Sequence, residues 1–134
     1  MKVIVAGSRS IRLYKVVENA INKAFNHWMA NDQENWKLYT QPTIISGGAQ
    51  GVDFFGELYA KKHSLPLEIF PANWDEFGKK AGILRNKVMG EHAERLIAVW
   101  DGQSKGTKHM IDFMYKLNKP VYVALENSYQ TTSS

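Results

Sequence analysis

The sequence predicts a Rossmann-like α/β fold, with a doubly wound parallel sheet of about five strands in the order 3-2-1-4-5. Short apolar runs alternate with helical patterns along the chain, which is typical of parallel sheets covered by helices on both faces. Three of these runs are each followed by a glycine-containing turn and then by a helical pattern. The chain has 134 residues, of which 44% are hydrophobic. This predicts one domain over residues 1–126 and a polar C-terminal tail over residues 127–134, which we expect to fray.

The first strand and helix are the clearest elements. Val3–Ala6 is rich in β-branched residues and does not alternate with polar ones, as expected of a parallel strand buried on both faces. Apolar residues then recur every three or four positions from Leu13 to Trp28, which predicts a helix with one face on the sheet. The polar stretch 31–42 predicts a connecting loop, with Trp36 and Tyr39 packing back onto the domain.

A second strand, a second helix and a third strand follow. Thr43–Ser46 predicts strand two, and the apolar positions within 52–62 predict a helix after the second glycine turn. Leu67–Phe70 predicts strand three. The stretch Pro71–Trp74 then interrupts the pattern, because proline and asparagine favour turns.

The second half of the chain repeats the alternation. A helix is expected to run to about His92, and Leu96–Trp100 predicts strand four. A helix over Thr107–Leu117 and a strand over Val121–Ala124 complete the pattern. The side chains expected to face inward are Ala81, Leu84, Val88 and Met89 in the first of these helices and Met110, Ile111, Met114 and Leu117 in the second.

The three glycine turns predict a binding site for an anion. They are Gly7-Ser8-Arg9, Ser46–Gly51 and Asp101–Thr107. A strand that turns through glycine into a helix leaves unpaired backbone N–H groups beyond the strand end, with the positive end of the helix dipole behind them. In the order 3-2-1-4-5 the turns after strands one, two and four become neighbours. We therefore expect a shared phosphate-binding cleft there.

Side chains around these turns suit a phosphorylated ligand. Arg9 can grip a phosphate with its guanidinium fork or form a surface ion pair. Asp53 either stabilises the first turn of its helix or accepts a ribose hydroxyl. Thr107 is expected to donate its hydroxyl and also to act as a helix N-cap. Trp74 either stacks on a base or caps the packing. The predicted ligand-contacting residues are Gly7, Ser8, Arg9, Ser46, Gly47, Gly48, Ala49, Gly51, Asp53, Asn73, Trp74, Arg85, Asn86, Asp101, Ser104, Lys105, Gly106 and Thr107.

Several function classes are disfavoured by what the sequence lacks. It contains no Walker A string and no Gly-x-Gly-x-x-Gly after strand one, which disfavours a typical NTPase and a standard dinucleotide dehydrogenase. The absence of cysteine excludes disulfides and thiolate chemistry. The four histidines have no ligand-like spacing, so no metal site is predicted.

Charge and hydropathy indicate the partners and the compartment. The net charge is +4 and the pI about 9.3, which favours an anionic partner without requiring one. No apolar run approaches the ~20 residues of a membrane span, and the first residues do not look like a secretory signal. We therefore expect a soluble cytoplasmic protein without membrane contact.

The ordered set of motifs resembles the SLOG superfamily, the Rossmann-like group that includes the DprA/Smf DNA-processing proteins and the LOG phosphoribohydrolases. The nearest match is its small YspA-like branch. The motifs that carry the resemblance are the three glycine turns together with Pro71–Trp74 and Gly82–Asn86. The resemblance implies a nucleotide or nucleotide-derived ligand in the predicted cleft, and no cofactor is assigned. The family pattern and the exposed apolar helix faces also favour a homo-oligomer.

The resemblance leaves three functions open. The first is a nucleotide-binding or sensing module. The second is a LOG-like N-glycosidic hydrolase of nucleoside monophosphates, for which the candidate catalytic residues are Arg85, Asp53 and Asp101. Against it, Met110 stands where LOG enzymes carry a glutamate, and the Pro-Gly-Gly before Gly106-Thr107 in their motif is missing. The third is a DprA-like binder of single-stranded nucleic acid, with Trp74 stacking on bases.

Overall fold

Five parallel strands form one sheet in the order β3-β2-β1-β4-β5 in the computed structural model, which describes residues 1–126. The predicted Rossmann-like fold class and strand order are confirmed. The predicted tail, 127–134, lies outside the described residues. In chain order the elements are β1 (Lys2–Gly7), α1 (Tyr14–Ala30), β2 (Thr43–Ser46), α2 (Val52–Lys62), β3 (Leu67–Ile69), α3 (Trp74–Phe77), α4 (Ala81–His92), β4 (Arg95–Trp100), α5 (Lys105–Lys116) and β5 (Val121–Leu125).

The sheet is covered on both faces, which explains why its central strands are uninterrupted apolar runs. Val3 and Val5 of β1 belong to the core that α1 and α2 cover. Ile4 and Ala6, on the opposite face of the same strand, belong to the core that α4 and α5 cover. Successive side chains of a strand point to opposite faces, so both sets must be apolar. No helix within residues 1–126 combines the length and the apolar character needed to cross a bilayer.

The strand order reverses between β1 and β4, and this positions the site. The two strands are paired from Val3 with Arg95 to Gly7 with Val99, so they end side by side. Their turns leave toward helices on opposite faces of the sheet. A crevice opens at such a point, beyond the carboxyl ends of the strands, and it is the usual ligand position in open α/β sheets.

The segment predicted as a loop over residues 31–42 contains a 3-10 helix at Gln33–Tyr39. Asp32 organises it, because its carboxylate accepts hydrogen bonds from the Asn35 side chain at 2.9 Å and from the Tyr39 hydroxyl at 2.7 Å. Tyr39 packs into the core as predicted, whereas Trp36 stays 49% exposed. Local polar contacts therefore give structure to a segment that the apolar pattern left undefined.

The inward face predicted for α4 is partly wrong. Ala81 and Met89 are buried, but Leu84 and Val88 are exposed. The helix instead buries Asn86, and it brings the backbone of Gly90 so close to Phe113 of α5 that a Cβ would collide with that ring. Close contact with α5 therefore sets the rotation of the helix.

Helix α5 begins earlier than predicted, at Lys105, because Ser104 is its N-cap. The Ser104 hydroxyl oxygen accepts a hydrogen bond from the Thr107 N–H at 3.5 Å. The predicted N-cap role of Thr107 is therefore wrong, and Thr107 is a buried residue of the first helical turn. At the other end, Leu117 follows the helix and is exposed rather than facing inward.

Candidate functional site

The three glycine turns meet at the carboxyl edge of the sheet and enclose a cleft of about 550 Å³. Gly7, Ala49 and Asp101 each bring one turn to its wall, and α4 and the start of α5 complete it. A smaller recess of about 310 Å³ adjoins the cleft. The residues that line both cavities, and so form a shared wall, are Arg9, Ala49, Trp74 and Arg85.

The first and third turns are tied together by Ser8 and Asp101. The Ser8 N–H donates to Val99 O at 3.1 Å, and the Ser8 hydroxyl oxygen accepts from the Asp101 N–H at 3.0 Å. The Asp101 carboxylate accepts from the Ser10 hydroxyl at 2.9 Å and from the backbone N–H groups of Gln103 and Ser104 at 2.8 Å each. These contacts fix the relative position of the two turns.

The same contacts control the charge of Asp101. Burial favours the neutral acid, but the N–H groups of Ser104 and Gln103 and the hydroxyls of Ser10 and Ser8 outweigh that effect. Together they lower the pKa of Asp101 to about 2. Its carboxylate is therefore ionised at neutral pH and bound into the loop, which suits a structural anchor better than a proton donor.

The second turn uses several of its own polar groups for internal hydrogen bonds. The Ser46 hydroxyl donates to Glu57 Oε2 at 2.7 Å and accepts from the Gly48 N–H at 3.1 Å. The Ala49 N–H donates to Asp53 Oδ2 at 3.3 Å. Gly51 has a φ of 74°, and a Cβ there would lie 2.7 to 2.9 Å from backbone atoms of Ser8 and Arg9. Glycine is thus needed at position 51 because the first and second turns pack directly on each other.

Asp53 is a buried carboxyl group on the wall of the cleft, with 5% of its surface exposed. Burial raises its pKa to about 6, and Glu57 adds to this effect, while Arg85 and the N–H groups of Ala49 and Gly7 oppose it. A carboxyl group with such a pKa can exchange a proton near neutral pH.

Arg85 is held beside Asp53 by contacts from its own helix and from the second turn. Its Nη1 donates to the Gly47 carbonyl oxygen and its Nε donates to Asn86 Oδ1 at 3.1 Å. A Cβ at Gly47 would meet both the Arg85 guanidinium and Asp53 Oδ2. Burial, and to a smaller extent Arg9, lower the pKa of Arg85 while Asp53 raises it, and an arginine remains charged at neutral pH.

The start of α5 and Arg9 contribute open hydrogen-bond donors to the cleft. Within residues 1–126 the backbone N–H groups of Lys105 and Gly106 make no hydrogen bond. The side chains of Arg9 and Lys105 likewise have no hydrogen-bond or ion-pair partner in that part of the chain. A cleft with these free donors and cations favours an anion.

Most of the predicted ligand-contacting residues line one of the two cavities. Those on the cleft are Gly7, Arg9, Ala49, Asp53, Trp74, Arg85, Asn86, Asp101, Ser104, Lys105, Gly106 and Thr107. Gly47 and Gly48 line the recess. The remaining four, Ser8, Ser46, Gly51 and Asn73, are on neither lining. Ser8, Ser46 and Gly51 hold the turns together, and Asn73 caps α3 by accepting from the Glu76 N–H at 3.1 Å.

Sequence reasoning missed several residues of the cleft. One of them is His109, whose imidazole can donate and accept hydrogen bonds. His109 lines the cleft and lies near Asn86. The histidine spacing in the sequence indicates no metal site, and within residues 1–126 no three His, Asp or Glu side chains gather as metal ligands. The useful signal was position: His109 comes three residues after Gly106, so the two share one face of a helix. The other cleft residues outside the predicted set are Ala6, Ser10, Lys79, Gly82, Ile83, Met89 and Met110.

Comparison with known proteins decides the family. The family model described as "YspA, cpYpsA-related SLOG family" matches residues 1–77. The chain belongs to this SLOG family. The matched residues include the first and second glycine turns, whereas α4 and the third turn follow them in the chain. The Gene 61 protein of Mycobacterium phage D29 is 32% identical over 84 residues, which cover 58% of this chain and 67% of that protein. No solved structure matches the chain significantly.

The resemblance to the LOG enzymes predicts that Met110 takes the place of their glutamate, and the family match over residues 1–77 does not reach this residue. Met110 is only 1% exposed, belongs to the core covered by α4 and α5, and also lines the cleft. A thioether cannot accept a proton or stabilise a sugar cation as a carboxylate does.

Proposed function

We propose that this SLOG-family protein binds a nucleotide or a nucleotide-derived ribosyl phosphate in the 550 Å³ cleft, as a binding or sensing module. The observation that carries the proposal is the concentration of unused donors and positive charge around this cleft. Lys105 and Gly106, with backbone N–H groups that bond to nothing in residues 1–126, line this cleft together with Arg9, whose side chain has no partner in the same range. A volume of several hundred Å³ suits a nucleotide-sized molecule.

In this proposal each part of the cleft has a role. The start of α5 would receive phosphate oxygens, because its N–H groups and dipole both favour negative charge there. Arg9 would close over the phosphate, and Arg85 would contribute its fixed positive charge. Trp74, which is half exposed on the shared wall, would face the base or the ribose.

A thermal-shift panel tests this proposal. AMP, ADP-ribose, NAD and a cyclic nucleotide are each added to the protein, and the melting temperature is recorded. A ligand present at 100 times its Kd stabilises the folded state by about 2.7 kcal/mol, which raises the melting temperature by several degrees. A flat response across the panel would contradict the proposal.

A pair of arginine variants distinguishes direct contact with the ligand from long-range electrostatic attraction. Arg9→Ala removes a side chain from the cleft wall, whereas Arg12→Ala removes the same charge from an exposed position that does not line the cleft. We expect Arg9→Ala to weaken binding of the stabilising nucleotide about 10- to 100-fold, because a charged hydrogen bond to phosphate is lost. Arg12→Ala should change the affinity less than about threefold. Equal losses in the two variants would indicate long-range attraction instead.

A second candidate function, the N-glycosidic hydrolase, is favoured by Asp53. Its carboxyl group lines the cleft beside Arg85 and has a pKa of about 6. In this alternative Asp53 would replace the missing glutamate and stabilise the sugar cation, while Arg85 positions the phosphate. Incubation with AMP followed by chromatography tests it. Free adenine should appear with the wild-type protein and disappear with Asp53→Asn, and its absence from the wild-type reaction would exclude AMP hydrolysis.

A further inference from the structure

A chain of hydrogen bonds links Arg85 to His109 through one buried amide. Arg85 Nε lies 3.1 Å from Asn86 Oδ1, and Asn86 Nδ2 lies 3.1 Å from the carbonyl oxygen of Gly106. Asn86 Nδ2 also lies 3.3 Å from His109 Nδ1. The Asn86 side chain is buried, so these three partners define its surroundings.

The partners fix which atom of each group carries hydrogen. A guanidinium only donates, so the Asn86 atom facing Arg85 must be the oxygen. A carbonyl oxygen only accepts, so the Asn86 atom facing Gly106 must be the nitrogen. The second N–H of that nitrogen then points to His109 Nδ1, which can accept it only as an unprotonated nitrogen. The ring proton of His109 is therefore on Nε2.

We infer that His109 contacts the ligand and that Asn86 positions it, by holding the imidazole as the neutral tautomer whose Nε2–H donates to a phosphate oxygen. This inference rests on the proposed function and deepens it. His109 lines the same cleft as Gly106 and Lys105, and helical side chains tilt toward the helix N-terminus. The imidazole thus joins the free N–H groups at the start of α5 as another donor.

The surroundings of His109 favour the neutral ring. Burial lowers its pKa below the ordinary value, Lys87 and Lys116 lower it further, and Asp112 acts in the opposite direction. A protonated ring would also direct its Nδ1–H at the Asn86 N–H, placing two donors against each other. His109 therefore serves as a hydrogen-bond donor without adding a charge to the cleft.

Nitrogen NMR of the imidazole rings tests the tautomer directly. The chain has four histidines, and the His109 signals are assigned by their loss in His109→Gln. At pH 7.5 we expect Nδ1 to resonate as a pyridine-type nitrogen and Nε2 as a pyrrole-type nitrogen. Asn86→Asp should reverse the pattern or protonate the ring, because a carboxylate accepts from Nδ1–H. A protonated Nδ1 in the wild-type protein would overturn the inference.

Titration with AMP tests the role of this donor in binding. His109→Ala should weaken the affinity about tenfold, the usual effect of losing one hydrogen bond to a charged group. The affinity of His109→Gln for AMP should stay within about threefold of the wild-type value, because the glutamine amide N–H can take the place of Nε2–H. His63→Ala is the matched control, since His63 is exposed at the far end of α2.

The outcomes separate this inference from the proposed function. If the wild-type protein binds AMP and His109→Ala binds it equally well, the inference is overturned and the proposed function stands. If His109→Ala and His109→Gln lose affinity to the same extent, the donor role is also overturned. If the wild-type protein binds none of the nucleotides in the panel, both proposals fall.

Discussion

Asp53 and Asp101 line the same cleft, yet the fold shifts their pKa values in opposite directions. Asp101 accepts hydrogen bonds from two backbone N–H groups, whereas Asp53 is almost completely buried. From the sequence, both could be identified only as acidic residues next to glycine turns. The sequence could not reveal the difference, because it depends on which N–H groups the folded turns direct at each carboxylate.

The raised pKa of Asp53 predicts how the free energy of unfolding depends on pH. Its folded pKa of about 6 lies above the unfolded value of 3.8. The folded state therefore binds the proton more tightly, so this group's contribution to the free energy of unfolding decreases as the pH rises from about 4 to 6. Asp53→Asn removes the titrating group, so its free energy of unfolding lacks this decrease. The difference in free energy of unfolding, variant minus wild type, should therefore rise by on the order of 2–3 kcal/mol between pH 4 and pH 7.

Urea unfolding at pH 4, 5, 6 and 7 measures this difference. Asp101→Asn is the comparison variant, because folding shifts the pKa of Asp101 in the opposite direction, to about 2. The stabilisation from the Asp101 carboxylate is therefore present above about pH 4 and is lost below it. Its effect should fall outside the pH 4–7 window. Parallel pH profiles for the wild type and Asp53→Asn would show that Asp53 ionises as it does in the unfolded chain.

At the scale of elements, the predictions succeeded where one strong pattern determines the structure. The apolar runs at Val3–Ala6 and Leu96–Trp100 had to be central strands, because both faces of such a run require burial. Helix α4 carries apolar residues on several sides, so its orientation depends on contacts with α5 that no local pattern encodes. The start of α5 was ambiguous because Ser104 and Thr107 are both good N-cap residues three positions apart.

The second glycine turn gives a prediction for this scale. Gly51→Ala should lower the free energy of unfolding by about 2–4 kcal/mol, since the new Cβ meets backbone atoms of Ser8 and Arg9 in a left-handed conformation. Chemical denaturation measures this loss. Gly106→Ala is the matched control, because a Cβ there meets no atom of residues 1–126 within 4 Å and alanine favours the helix. A similar loss in both variants would contradict the packing explanation.

At the scale of the whole molecule, the predicted convergence of three turns depended on strand order, and that order could be argued from the alternation of elements. The sequence could not show that some backbone N–H groups of the turns form hydrogen bonds within the turns themselves. The sequence predicted that the five amides of Gly47–Gly51 would hold phosphate, and two of them, those of Gly48 and Ala49, donate to Ser46 and Asp53 instead. Hydrogen bonds of this kind depend on side-chain positions that only the assembled fold defines.

The exposed apolar residues of α3 and α4 bear on the predicted homo-oligomer. These neighbouring helices leave large side chains at the surface: Trp74, Phe77, Ile83, Leu84 and Val88. We expect copies of the chain to associate through this face, because monomers rarely expose so many apolar side chains together. Light scattering after size exclusion should give a mass above 15.3 kDa for the wild-type protein.

Two substitutions at equally exposed positions test whether the chains associate through the apolar surface of α3 and α4. Val88 is 53% exposed on α4, and Phe54 is 54% exposed on α2, across the sheet. Val88→Glu should weaken association at least tenfold, because it buries a charge in the interface, whereas Phe54→Glu should leave the mass unchanged. A monomeric wild-type protein, or equal dissociation in both variants, would rule out association through α4.

The position of Trp74 has a practical consequence. Its indole lies half exposed on the wall shared by the cleft and the recess, whereas Trp36, which is similarly exposed, lines neither of these cavities. Trp28 of α1 is buried in the core, and the Trp100 N–H is bonded to Ser104 O at 3.0 Å. A molecule entering either cavity displaces water from the Trp74 ring and so alters its emission. The protein thus carries an intrinsic optical probe at the mouth of its cavities, and occupancy can be followed by fluorescence in real time without attaching a dye.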